Sequence, residues 1–435
     1  MKNLTRRQMF GMALAGLGSR FVRAADTDPT FMIVRSPSPT DLEMPLNGFK
    51  DAVTPIEHFF VRCHTYTPPK VNLDTWTLKV DGVVNKPLTL TMADIKKLPR
   101  VELVGVLECA GNGRSFYKPR VPGAQWSYGG AGNGRWAGVR LKDVLERAGL
   151  KSSATEVLCD GMDTPLGKMD DVRRTITVKK ALHPDTLLAY EMNGEPLPFL
   201  HGFPLRVIAP GWAGDSWIKW LYHIEVLDHE YPGFWMKTGY RHPTHHVEPG
   251  TAVPASEMVS VTDLALKSVI VTPLPGTLTT ASAKISGAAW SNGSPITGVD
   301  VSTDNGKSWK PATLGKDLGR YSWRLWEQSW TPSSLGDYTI IARARTADKV
   351  QPLEQEWNPG GYLWNGAPRV ALRVDAPENY RRACFVCHDA HMMEQQHLTR
   401  AQWEKEVDKM TNWGAPVSAG DRGSIVDYLA GKYNP

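Results

Sequence analysis

Apolar and polar residues alternate along Trp76-Thr77-Leu78-Lys79-Val80, the period of a half-buried strand, and Asp81-Gly82 closes the run as a turn. Glu156-Val157-Leu158-Cys159 reads as another strand. Thr91-Met92-Ala93-Asp94 has the spacing of a helix capping box, and Leu141 to Ala148 predicts a helix stopped by Gly149. Short strands interleaved with short helices predict an α+β domain over residues 26–254. From 255 to 374 the period becomes two: Ala283 to Trp290, Val299 to Thr303, Tyr321 to Leu325 and Tyr338 to Arg345 predict strands. Asp304-Asn305-Gly306 suits a hairpin that needs positive φ. This stretch predicts an all-β sandwich of immunoglobulin type. Residues 375–435 switch to helical spacing. Asp375-Ala376-Pro377 reads as a linker, and Thr399 to Gln402 caps a helix carrying Trp403, Val407 and Met410 on one face. Ser418 to Asp421 caps a second helix with Ile425, Val426 and Leu429. So small an all-α unit is marginal on its own apolar residues.

At 435 residues, 41% hydrophobic and 22% charged, the chain suits about three folded domains. No apolar run approaches the ~18 residues of a membrane span. Thr5-Arg6-Arg7-Gln8-Met9-Phe10, followed by Gly11 to Gly18 and by Ala24-Ala25, predicts a twin-arginine export signal over residues 1–25 and a periplasmic protein. A basic N-terminal helix is the plainer alternative. Removing that segment takes away five cations and no acid, so the formal charge of +5 falls to zero. No concentrated positive field is left for nucleic acid. Gly129-Gly130-Ala131-Gly132-Asn133-Gly134 lacks the lysine and the spacing of a phosphate loop.

Five cysteines are too few for a disulfide scaffold. Cys384-Phe385-Val386-Cys387-His388 has the spacing of covalent c-type haem attachment, with both thiols on the vinyl groups and His388 on the iron. A zinc site would need a second ligand pair, and the sequence offers none nearby. Met410 is the expected distal iron ligand; Met392 and Met393 stand too close to His388, and His391 and His397 are further candidates. Cys159 reads as a buried free thiol.

Leu107-Glu108-Cys109-Ala110-Gly111-Asn112-Gly113-Arg114 places a thiol at the end of an apolar run, before small residues that let a bulky group approach. A thiolate is a soft ligand for a high-valent metal. Together with Phe60-Val61-Arg62-Cys63-His64, Leu188 to Gly194, and His201 to Arg206 running on to Trp217-Ile218-Lys219-Trp220, it resembles the sulfite oxidase family over roughly residues 50–372. The resemblance implies a molybdopterin-binding domain followed by a dimerisation domain. It makes Cys109 the molybdenum ligand and Arg62, Arg114 and Tyr190 substrate-pocket residues. Phe60, Val61, Arg62, Cys63, His64, Asp163, His201, Arg206, Trp217, Ile218 and Lys219 become contacts to the pterin and its phosphate.

The activity so implied is an exported sulfite dehydrogenase that passes electrons singly through the C-terminal haem to an external cytochrome c, as a homodimer. Three departures stand out. Cys63 occupies a position that is Asn in many relatives. Trp290-Ser291-Asn292-Gly293-Ser294-Pro295 lacks the arginine that many sulfite oxidases carry there. The haem motif is C-terminal and c-type, whereas animal relatives have an N-terminal b-type domain. A molybdenum enzyme acting on another sulfur compound or reducing a sulfoxide, and a haem subunit with a degenerate binding module, are the alternatives.

Overall fold

The computed structural model describes residues 27–28, 30–64 and 69–435. The twin-arginine segment lies outside the described residues.

Two five-stranded sheets form the body of the first part of the chain, beside a small sheet of Ile33–Pro37, Thr40–Glu43 and Val61–Arg62. One is mixed, with strands in the order Leu88–Leu90, Leu78–Gly82, Leu221–Leu227, Glu156–Gly161 and Arg174–Thr177. In it Leu221–Leu227 runs parallel to Leu78–Gly82. The helix Leu141–Ala148 contributes to that sheet's core through Leu141, Val144, Leu145 and Ala148, the i, i+3, i+4, i+7 stripe of an amphipathic helix. Gly149 ends it at φ 71°. The second sheet orders Glu195–Pro196, Leu187–Met192, Ala131–Arg140 and Arg100–Glu108 antiparallel, with Arg206–Ile208 also paired to Leu187–Met192. Its core is aromatic: Trp136 is fully buried and donates from Nε1 to Gly105 O at 3.1 Å.

Residues 267–374 form two sheets facing each other across one apolar core. One orders Lys267–Thr272, Ala283–Trp290, Arg324–Trp330 and Thr313–Leu314; the other orders Gly276–Leu278, Arg369–Val374, Gly336–Arg345, Gly298–Ser302 and Lys310–Pro311. Asn305 and Gly306, at φ 59° and 88°, turn the expected hairpin. The strand expected from Tyr321 starts instead at Arg324. Tyr321 is spent on the seam between the two units: its carbonyl accepts from Val106 N at 2.9 Å and its hydroxyl donates to Asp185 at 3.2 Å. The strand expected from Trp76 likewise begins at Leu78 and runs through Gly82.

Glu108 locks the same seam. Both its side chain and that of Lys267 are buried in a direct ion pair, and Trp290 Nε1 donates to Glu108 Oε2 at 2.7 Å. Four helices follow, Glu378–Cys384, Ala390–Glu394, Arg400–Asn412 and Ala419–Lys432, around a small core of their own. Both expected caps form: Thr399 exchanges bonds with Gln402, and Ser418 Oγ accepts from Asp421 N. No helix among the described residues is long and apolar enough to cross a membrane.

Candidate functional site

The strand Arg100–Glu108 ends at Cys109, whose amide donates to Gly130 O at 2.8 Å and whose carbonyl accepts from Asn112 N at 2.9 Å. Asn112 Oδ1 in turn accepts from Gly130 N, so the turn holding the sulfur is braced from both sides. Cys109 faces a pocket lined by Arg62, His64, Asp215, Lys219 and Tyr240, among others. Desolvation pushes its thiol up, and Arg62 and Arg114 oppose that shift.

Cations dominate the pocket wall. Arg62 leaves the strand Val61–Arg62 and donates from Nη1 to both oxygens of Asp41, at 3.0 and 3.1 Å. Arg206 is buried and donates to the carbonyls of His201 (2.8 Å) and Trp217 (3.0 Å), while its Nε has no partner. No carboxylate pairs with Arg206 among the described residues. Burial lowers it to about 9. Lys219 Nζ donates to Arg62 O and Leu200 O, each at 3.0 Å, and contacts Cys63 Sγ at 3.3 Å. Burial, then Arg206 and Lys219, hold His201 well below the usual imidazole range. His64 is lowered by burial, then by Arg62, Lys219 and Arg174. A buried, uncompensated cation costs several kcal/mol, so this wall is built for an anion.

Tyr240 completes the pocket. It lies at φ 51°, an uncommon conformation for a bulky residue. Its hydroxyl meets His64 Nε2 at 2.5 Å, and its ring lies 5.3 Å from the Arg174 guanidinium. Arg174 is itself fixed by a buried ion pair, Nη2 to Asp215 Oδ2 at 2.6 Å, and by donation to Trp235 O. Burial pushes the Asp215 carboxyl up to about 6, against Arg174.

A second cavity, of ≈ 540 Å³, opens in the helical segment. Cys384, Cys387, His388 and Met410 line it, with Met392, Met393 and Trp403. Large apolar side chains remain exposed at or beside it: Val386 is 66% and Trp413 73% exposed. His391 is turned toward Glu394 (3.0 Å) and His397 toward Asn434 O (2.9 Å); neither lines the cavity.

Residues 64–235 match the family model of the oxidoreductase molybdopterin binding domain, and 258–375 that of the Mo-co oxidoreductase dimerisation domain. The chain is 31% identical to sulfite oxidase of Arabidopsis thaliana over 379 residues, covering 78% of this chain and 93% of the relative. The chain belongs to the sulfite oxidase family. It is also 35% identical to the mitochondrial sulfite oxidase of Homo sapiens over 343 residues, 74% of this chain and 62% of the relative, so it spans less than two thirds of that protein. The crystal structure of the sulfane dehydrogenase SoxCD from Paracoccus pantotrophus superposes with a TM-score of 0.67 at 25% identity, over 84% of this chain and 94% of that one. The first part of the chain thus has the family's molybdopterin fold, followed by a β-rich dimerisation domain. Residues 376–435 lie beyond both models.

Of the residues singled out in the sequence, Phe60, Val61, Arg62, His64, Cys109, Asp163, His201, Arg206, Trp217, Ile218 and Lys219 all line the Cys109 pocket. Cys63 is buried behind it, against Lys219. Two expectations need correction. Tyr190 is not at the pocket: it packs in the core of the other sheet, with Lys96 Nζ 5.3 Å from its ring, because strand alternation puts it on the same face as Leu188. Arg114 is near the sulfur but does not line the pocket; it donates to Gly360 O (Nε 3.3 Å, Nη2 3.1 Å) and from Nη1 to Ala124 O (3.2 Å), with its guanidinium 5.1 Å from the Tyr362 ring. The tyrosine at the pocket is Tyr240, and with Arg174 and Asp215 it was missed. No motif surrounds it, and a loop residue's positive φ leaves no pattern in apolar spacing.

Proposed function

We propose that the mature chain is a periplasmic, homodimeric sulfite dehydrogenase. Its parts are residues 1–25 as export signal, 26–254 as molybdopterin domain, 255–374 as dimerisation domain and 375–435 as a c-type cytochrome unit. The strand order of 267–374 suits the immunoglobulin type. The observation that carries the reading is Cys109 facing a pocket in which buried Arg206 pairs with no carboxylate among the described residues, in a chain of this family.

That donor set fits molybdopterin. Cys109 would ligate the metal, while Arg206, Lys219 and His201 would hold the phosphate and pterin. When bound, the group supplies two-electron oxygen transfer to sulfur. The net change adds the oxygen of one water to sulfite, giving sulfate, two protons and two electrons. Arg62, oriented by Asp41, binds the sulfite oxygens. Tyr240 Oη, held by neutral His64, orients the anion and carries away protons released by the water. The C-terminal cavity fits haem: two thiols and an imidazole at attachment spacing line an apolar space of ligand size, with rim residues that a porphyrin would cover. His388 and Met410 would ligate the iron, and an external cytochrome c would take the electrons.

A second reading, oxidation of another sulfur compound, is favoured by the arginine-free Trp290 to Pro295 stretch and by the likeness to a sulfane dehydrogenase. The test is anaerobic addition of sulfite to purified, molybdenum-loaded protein. Stoichiometric growth of the reduced haem bands supports the first reading. No reduction by sulfite, with reduction by another sulfur compound, supports the second.

A further inference from the structure

The two cavities stand at opposite ends of the sandwich. The ties nearest Cys109 use one set of strand ends: Lys267, Trp290, Tyr321 and Leu363. Trp290 ends its strand, and Lys267 opens the strand paired with it. The helical segment uses the other set. Asp375 N donates to Leu278 O at 2.9 Å, Lys432 Nζ donates to Pro332 O, and Ala281 and Leu335 pack into the helical core. The eight residues of Ala283–Trp290 put about 23 Å between those ends, and the ten of Gly336–Arg345 about 30 Å. Electron tunnelling falls exponentially with distance, so direct transfer within one chain across that length is slow.

A swing of the helical segment is poorly provided for. Its link to the strand ending at Val374 is three residues, Asp375-Ala376-Pro377, which reach about 10 Å at full extension. Ala376 is buried in the helical core, and Arg381 Nη1 pairs with Asp375 Oδ2 at 2.9 Å. The sandwich between the two cavities is the unit that matches a dimerisation domain. A two-fold axis perpendicular to its strands lays the far end of one sandwich beside the near end of the other.

We infer that electrons cross between copies: the Cys109 pocket of one subunit reduces the haem held by the helical segment of its partner. The inference rests on the function proposed above. Each sulfite and water yield sulfate, two protons and two electrons. Each electron turns one ferric haem iron ferrous, and an external one-electron acceptor protein reoxidises it.

The test is a hybrid holoenzyme dimer, isolated by two tags, in which one subunit carries Cys109→Ser and the other Cys384→Ser with Cys387→Ser. Neither variant alone joins the two cofactors. The hybrid should reduce its single haem with sulfite at a rate within about twofold of wild type. A silent hybrid beside an active wild-type dimer overturns transfer between copies. A wild-type dimer that sulfite leaves oxidised overturns the sulfite reading and this one with it.

Should the hybrid not assemble, two measurements decide without it. A Cβ on Gly431 would lie 3.3 Å from Ala281 Cβ, close to disulfide spacing, so Ala281→Cys with Gly431→Cys pins the segment to its own sandwich. Haem reduction should survive oxidation of that lock, and its loss, restored by reductant, would establish a swinging segment instead. In dimers mixed from light and ¹⁵N-labelled chains, cross-links from Lys409 at the haem cavity to Lys237, beside the Cys109 pocket, should join peptides of different isotope. Same-isotope links alone would sink the inference.

Discussion

The Cys109 pocket and the C-terminal cavity are built in opposite ways. The first draws its walls from segments scattered between Phe60 and Tyr240 and lines them with buried charge. The second is assembled from fewer than fifty consecutive residues, and its walls are mostly apolar. A pocket of buried cations is held open by pairs far apart in sequence, such as Arg62 with Asp41, Arg174 with Asp215 and Glu108 with Lys267. A cavity between neighbouring helices depends on local packing. Damage should therefore spread differently in the two.

The largest effect expected is from Cys109→Ser, which should bring sulfite-dependent haem reduction to background while leaving the haem spectrum intact. Turnover that survives would end the assignment of that sulfur to the metal. Next is the contrast between tyrosines. Tyr240→Phe should lower kcat on the order of 10²-fold, the range of a lost proton-transfer group, whereas Tyr190→Phe should change it less than about twofold. Steady-state kinetics with an artificial acceptor measures both, and equal effects would erase the distinction between the two tyrosines. Met410→Ala should keep the haem attached and lower its potential, because thioether ligation raises it. A redox titration that finds the potential unmoved would mean that another residue ligates the iron.

The smallest effect is on stability and pH. His64 and His201 are held neutral in the fold, so below their unfolded value of about 6.5 the unfolded chain binds protons that the folded one refuses. Each should cost the upstream domain about 1.4 kcal/mol per pH unit as pH falls below that value. In the helical segment His391 is shifted the other way, by its bond to Glu394, so its contribution is present at low pH and is lost as pH rises through its folded value. Calorimetry between pH 7 and 5.5 should find the upstream transition falling while loss of the haem band stays put. Parallel shifts would contradict the separation.

How far each region could be read from the sequence follows the same division. Cys384, Cys387 and His388 are contiguous, and the two capped helices announce themselves by spacing, so the C-terminal cavity was legible almost entirely. Around Cys109, resemblance supplied the wall residues, since nothing in local pattern connects His201 to Arg62. It failed at Tyr190, which strand alternation places with Leu188 in the other core, away from the pocket. Tyr321 misled in a similar way. Its aromatic character fits a strand, but the residue is used to stitch two units together.

The buried pairing of Glu108 with Lys267 and Trp290 has one more implication. The residue just before the sulfur that would take the metal is anchored to side chains more than 150 positions downstream. A ribosome that has finished the first domain but not the sandwich has therefore made the cysteine without the footing it stands on. Cofactor loading on this chain belongs after synthesis has passed Trp290, when that footing exists.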